Sequence, residues 1–180
     1  NGPWAPGWVA AAAAISRADL VLGLNAADAG CVRPLLGARS SIVALRPFLD
    51  AAPYAAAVKC RDSLRRALSR RLVIECDQTW LLTVAMMRPG DKLASYRLLG
   101  RALAHLRARP WCLLVAGDGP ARGEVQAALA GLGGRVNWLG ELSAEALAVL
   151  YAASDLFVWP AVNEAYGMAL LEAQAAALPV

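Results

Sequence analysis

At 180 residues the chain is long enough to bury one sizeable core. Apolar residues make up 58% and charged ones 18%, with a net charge of +4. Much of the apolar excess is alanine, which favours helices, and no apolar run is long enough for a bilayer.

The first apolar stretch, "WVAAAAAIS", ends at Arg17 and follows a Pro/Gly-rich start. It lacks the basic start and cleavage pattern of a signal peptide. "DLVLGL" (19–24) reads as a short strand, and Asn25 as the cap of a helix with Asp28 in its first turn. "SSIVALRPFLD" (40–50) reads as a second strand, closed by Pro47 and Asp50. Residues 53–71 read as one amphipathic helix carrying Lys59, Arg61, Arg65, Arg66, Arg70 and Arg71. The plain reading of those cations is a solvated face; the other is contact with anionic lipid. No aromatic residue interleaves with the arginines, so nucleic-acid stacking is not expected.

From residue 78 the pattern is regular. "WLLTVAMM" (80–87) is a continuous apolar run, as in a strand buried on both faces. A helix over 93–108, a strand over 111–117 and a helix over 121–133 follow. Then come a strand over 135–140, a helix over 143–154 capped by Ser143, a strand over 155–161 and a helix over 165–178. "PV" opens a further strand at the end. Strict β-α alternation predicts an α/β doubly wound parallel sheet with helices on both faces. The chain opens on Asn1 and breaks off as a strand begins, so a truncated piece of a longer protein is expected.

Cys31, Cys60, Cys76 and Cys112 sit in neither CxxC pairs nor metal-ligand spacing. They read as reduced structural thiols, which fits a cytoplasmic location. His105 falls inside the 93–108 helix, away from the strand ends, and reads as structural or surface.

Ligands of such sheets sit at the carboxyl ends of the strands, which singles out the loops 86–92, 117–121, 140–143 and 161–167. In the first, Arg88 and Lys92 are two cations suited to a diphosphate, or else part of a solvated turn. In the second, Gly117 and Gly119 permit close approach of a ligand, although Gly-rich strand-to-helix turns are common. In the third, Glu141 and Leu142 suit a nucleobase equally as well as a strand end and helix cap. In the fourth, Gly167 and Met168 open a helix whose amides and dipole favour phosphate. Glu164 and Glu172 flank that helix start, each able to accept sugar hydroxyls. On spacing alone both serve equally well as solvent-facing helix residues.

"NEAYGMALLEAQAAALPV" resembles the E-x7-E segment of the family 4 retaining glycosyltransferases, which have the GT-B fold. "LLVAGDGP" resembles that family's strand and GxGP turn, and "VNWLGELSAEALAVLYAASDLFVWPA" its next strand, helix and strand, in order over roughly residues 78–180. The resemblance implies domains at 1–52 (end of the acceptor-side domain), 53–77 (linker) and 78–180 (nucleotide-sugar-binding domain, a Rossmann-like half of a GT-B fold). It implies transfer of a hexose from a nucleotide diphosphate sugar, with retention, to an acceptor that is a sugar, lipid or protein glycan. Glu172 would hold the ribose and Glu164 the donor sugar. Gly167 and Met168 would lie at sugar and phosphate, and Arg88 and Lys92 at the diphosphate. The family's Gly-Arg after the first strand is here Ala85-Met86, and its usual glycine near the end is Ala177.

No Asp-x-Asp pair is present, and neither metal nor cofactor is called for if Arg88 and Lys92 supply the charge. By itself this stretch is expected to transfer no sugar. The rival readings are a nucleotide-binding module without catalysis and another GT-B enzyme such as a nucleotide-sugar epimerase.

Overall fold

The computed structural model describes residues 5–106 and 108–180. The first four residues, part of the Pro/Gly-rich start, and Arg107, within the expected 93–108 helix, lie outside the described residues. The chain forms two compact units, Asn1–Phe48 and Leu49–Val180.

In the first unit, helix α1 (Ala5–Arg17) precedes strand β1 (Leu20–Gly23), helix α2 (Ala26–Val32) and strand β2 (Ser41–Ala44). β1 and β2 pair in parallel, with Leu20 opposite Ser41 and Gly23 opposite Ala44. Asn25 caps α2 as its sequence position suggests, its side chain accepting from the Ala27 amide at 2.9 Å.

The second unit starts with helices α3 (Ala52–Lys59) and α4 (Arg61–Leu72). Residues 53–71 were expected to form one helix, but Cys60 leaves helical geometry at φ −108°, ψ 13° and divides them. Then follow β3 (Thr79–Val84), α5 (Asp91–Ala104), β4 (Trp111–Ala116), α6 (Arg122–Leu129), β5 (Val136–Gly140), α7 (Ala144–Ala153), β6 (Leu156–Phe157) and α8 (Met168–Ala175). α6 is shorter than expected because a 3-10 segment over Ala130–Arg135, kinked at Gly133, replaces its end. The expected 155–161 strand contracts to two ladder residues at β6. His105 sits just past the end of α5, exposed, rather than within the helix. The residue pair 179–180 forms no strand, yet the Pro179 carbonyl accepts from the Phe157 amide at 2.8 Å.

All strand pairings are parallel, in the order β5-β4-β3-β6. Side chains alternate across β3. Trp80 and Leu82 enter one cluster with Leu114, Leu150, Tyr151 and Phe157, against which residues of α3 and α4 pack. Leu81 enters the other with Tyr96, Leu99, Val125 and Leu129 of α5 and α6. This is the doubly wound, Rossmann-like arrangement that alternation implies. The direction of winding reverses between β3 and β6, so their carboxyl ends form the topological switch point.

The arginine-rich segment is not simply a solvated face. Arg61 donates to the carbonyls of Ala152 and Ser154, each at 2.6 Å, and pairs with Asp155 at 2.6 Å. Arg65 donates to the carbonyls of Cys76, Ala153 and Gln78, pairs with Asp155 at 3.0 Å, and lies 4.2 Å above the Trp80 ring. The two guanidinium groups satisfy carbonyls at the end of α7, where the helix dipole is negative. Lys59, Arg66, Arg70 and Arg71 remain exposed. The cysteines are unpaired; burial pushes the Cys112 thiol up to about 11, whereas Cys31 and Cys60 are exposed rather than structural.

α8 ends in a Schellman motif: the Leu178 amide donates to Ala173 O and the Ala177 amide to Gln174 O, both at 2.9 Å. The motif holds Ala177 at φ 51°, a left-handed conformation that disfavours a Cβ. Ala177→Gly is therefore expected to raise the free energy of unfolding by about 1 kcal/mol, read as a higher urea midpoint at unchanged slope. A lower midpoint would contradict this account of the helix end.

Candidate functional site

Main-chain hydrogen bonds lace three loops together at the carboxyl edge. The Met87 amide donates to Asp118 O at 2.8 Å, the Ala121 amide to Met87 O at 2.9 Å, and the Gly117 amide to Gly140 O at 2.7 Å. The loops approach so closely that a Cβ on Gly117 would lie 2.1 Å from Ala85 O, and one on Gly119 2.3 Å from Met87 O. Gly119 thus makes room for a neighbouring loop and does not line the cavity beside it. Gly117 does both.

That cavity, about 350 Å³, is lined by Val84, Ala85 and Met86, by Ala116, Gly117 and Asp118, and by Glu141, Leu142 and Leu147. It opens where β3, β4 and β5 end. Of the residues singled out in the sequence, Gly117, Glu141 and Leu142 meet here.

A second group meets at the switch point. Lys92, in the first turn of α5, forms an ion pair with Glu164 in the loop after β6. The same carboxylate oxygen, Oε2, accepts from Trp159 Nε1 at 3.2 Å. The Lys92 ammonium lies 5.4 Å from the centre of the Trp159 ring. Tyr96 meets Trp159 edge-on at 5.0 Å, and its hydroxyl donates to Ala85 O at 2.8 Å. A continuous chain of contacts thus joins the cavity wall at Ala85 to Glu164. The loop is further pinned by the Val162 amide donating to Ser95 Oγ and by Asn163 Nδ2 donating to Asp91 Oδ1. Burial pushes the Glu164 carboxyl upward, but hydrogen bonds from Lys92 and Trp159, the Lys92 charge and the Gly167 amide together hold it below the ordinary range.

Gly167 caps α8 at φ 63°, ψ 49°. The Met168 and Ala169 amides meet no backbone acceptor among the described residues, which leaves donors and the positive helix end for an anion. The Met168 side chain is exposed. Glu172 stands apart from Glu164: it is half-buried, and its Oε2 accepts from the Tyr151 hydroxyl at 2.8 Å. Arg88 is exposed and forms neither hydrogen bond nor ion pair with a described residue. Trp159 went unremarked in the sequence. The signal for it is an indole N–H at a strand end five residues before an acid, a donor that needs an acceptor. Among the described residues no group of three or more His, Cys, Asp or Glu is placed to hold a metal ion, and no helix is long and apolar enough to cross a membrane.

The model of the family described as glycosyl transferases group 1 matches residues 78–180. Among solved structures the chain is similar to Anabaena HepE, crystallised with UDP and glucose, at 20% identity and a TM-score of 0.76, covering 99% of this chain and 48% of that one. It is similar to sucrose-phosphate synthase from Thermosynechococcus elongatus at 22% identity and a TM-score of 0.73, covering 99% and 45%. It is also similar to WaaG, a glycosyltransferase involved in lipopolysaccharide biosynthesis, at 26% identity and a TM-score of 0.66, covering 88% and 42%. The chain therefore spans about half the length of these proteins or less. No curated protein matches it closely.

The lowered Glu164 titration has a sign that can be tested. The carboxylate contributes stability that is present above the ordinary carboxylate range and is lost as pH falls through its own lower value. In Lys92→Met, burial is opposed only by Trp159 and Gly167. The Glu164 carboxyl is then expected to titrate higher than in the unaltered chain, followed by carbon NMR of the side-chain carboxyl. An unmoved titration would mean that Lys92 does not hold the charge.

Proposed function

The chain belongs to the glycosyl transferases of group 1, and from that premise we propose that it supplies the donor-binding half of an enzyme that moves a hexose from a nucleotide diphosphate sugar, with retention, to an acceptor. The observation that carries the reading is the Lys92–Glu164 pair at the switch point, joined through Trp159 and Tyr96 to the wall of the 350 Å³ cavity. The base lies in the cavity against Glu141 and Leu142. The ribose meets Glu172. The diphosphate faces the α8 amides, Arg88 and Lys92, and the sugar hydroxyls bond to Glu164.

In this arrangement the protein contributes charge and position rather than a nucleophile. As the bond from the sugar to the diphosphate breaks, negative charge grows on the leaving oxygen. Lys92, Arg88 and the amides of Met168 and Ala169 supply the donors that meet this charge. Glu164 holds the sugar, and its ion pair keeps Lys92 from being an isolated half-buried cation while the site is empty. The UDP in the HepE crystal makes uridine diphosphate the first nucleotide to try.

The test is calorimetric titration of the chain with UDP and UDP-glucose. Glu172→Ala and Arg88→Ala are each expected to weaken UDP by about tenfold, as for loss of one charge-assisted hydrogen bond. Glu164→Ala is expected to spare UDP and remove the added affinity for UDP-glucose. Unchanged UDP affinity in both Glu172→Ala and Arg88→Ala would overturn the donor-site map. UDP binding with no response to the sugar would favour a nucleotide-binding module instead, and an inverted anomer in the product formed by the full-length enzyme would overturn retention.

A further inference from the structure

Glu164 and Glu172 lie in different electrostatic settings, and the difference identifies a residue with a role of its own. Glu164 is matched by a cation, Lys92. Glu172 has no ion-pair partner among the described residues; the group that bonds it is the neutral phenol of Tyr151. We propose that Tyr151 is a positioning residue, which holds one oxygen of Glu172 so that the other faces the vicinal hydroxyls of the nucleotide ribose. The proposal rests on the reading of Glu172 as the ribose-binding carboxylate and adds the group that orients it.

Three observations carry it. First, Tyr151 is fully buried and fixed on two sides: Tyr54 of α3 meets it edge-on at 6.0 Å, and Phe157 lies against it at 5.9 Å. A ring so confined delivers its hydroxyl to one place. Phenylalanine would fill the same space, so the hydroxyl is what distinguishes this residue, and its partner is Glu172. Second, the hydroxyl occupies Oε2 and no described residue donates to Oε1. A carboxylate with one oxygen tethered retains lone pairs for a ligand hydroxyl. No cation among the described residues pairs with it, so those lone pairs face neutral donors without competition. Third, Tyr151 shares a helix face with a residue of the cavity wall. Leu147, which lines it, and Tyr151 are one turn apart on α7 and so share a face. α7 and α8 both leave the carboxyl edge, and helical side chains lean back toward the helix start. Tyr151 and Glu172 therefore both lean toward the edge where the cavity opens.

The phenol is suited to a fixed donor role. Burial, and then the Glu172 charge, raise its titration far above the ordinary range, so it keeps its proton at any physiological pH. Tyr54 of α3 is likewise raised, by burial and then by the Glu172 charge.

Ribose hydroxyls give a readout that a merely structural tyrosine would not move. Titrate the chain, Tyr151→Phe and Glu172→Gln with UDP and with 2′,3′-dideoxyuridine 5′-diphosphate. The unaltered chain is expected to prefer UDP by about tenfold. Glu172→Gln is expected to abolish that preference. Tyr151→Phe is expected to weaken UDP roughly fivefold and leave the dideoxy nucleotide unchanged, at a thermal midpoint that shows it folded. If Tyr151→Phe keeps the ribose preference while Glu172→Gln loses it, or weakens both nucleotides equally, the role of Tyr151 is overturned and the ribose reading stands. If the unaltered chain shows no ribose preference, or Glu172→Gln retains it, the ribose reading itself is overturned, and this proposal with it.

Discussion

The carboxylate of Asp155 is the fixed point of the second unit. β6 contributes only two residues to the ladder, too few to hold a strand in register by themselves. Asp155, just before it, supplies what the ladder lacks. Its Oδ2 accepts from the Trp80 amide at 2.8 Å, and its own amide donates to Trp80 O at 2.9 Å. Arg61 and Arg65 close on the same carboxylate from α4 while holding the last carbonyls of α7. Two cations on one acid leave one formal positive charge over, and the carbonyls at the negative end of α7 take up further donors. This network lies at the amino edge of the sheet. Its effect is felt at the opposite edge, because a strand anchored at its start has a defined end, and that end carries Trp159 and Glu164.

From there the two glutamates diverge. One is drawn by Lys92 and Trp159 into the switch point between β3 and β6, and the other is tied by Tyr151 to α7. Their separation in the helix start would look much the same if both faced solvent. The difference lies in partners from elements far away in sequence, on α5 and α7. The fold gives the two acids unlike surroundings, a cation and an indole for one and a neutral phenol for the other.

The alternation of strands and helices was legible because buried parallel strands leave continuous apolar runs, and Gly117, Glu141 and Leu142 line one cavity because they fall where such strands end. The caps at Asn25 and Ser143 were legible because they are local chemistry. What escaped was set by distant partners. Nothing near Arg61 or Arg65 announces that α7 and Asp155, about ninety residues away, will receive them. The division at Cys60 has no proline or glycine to mark it. Gly119 read as ligand space because sequence cannot say whether the atom that would meet a Cβ belongs to a ligand or to Met87. At Ala177, by contrast, the resemblance noted a missing glycine before the left-handed backbone supplied its reason.

The lacing of the loops after β3, β4 and β5 is made of main-chain groups and glycines, with no side chain in the hydrogen bonds that join Met87, Asp118, Ala121, Gly117 and Gly140. A frame built this way is indifferent to what its residues display outward. The side chains of Met86 and Arg88 can be exchanged without disturbing the main-chain hydrogen bonds that fix the path of the backbone. The rim of the site is in this sense a socket with replaceable contacts. Variation in what the rim displays can accumulate there while the architecture beneath stays still.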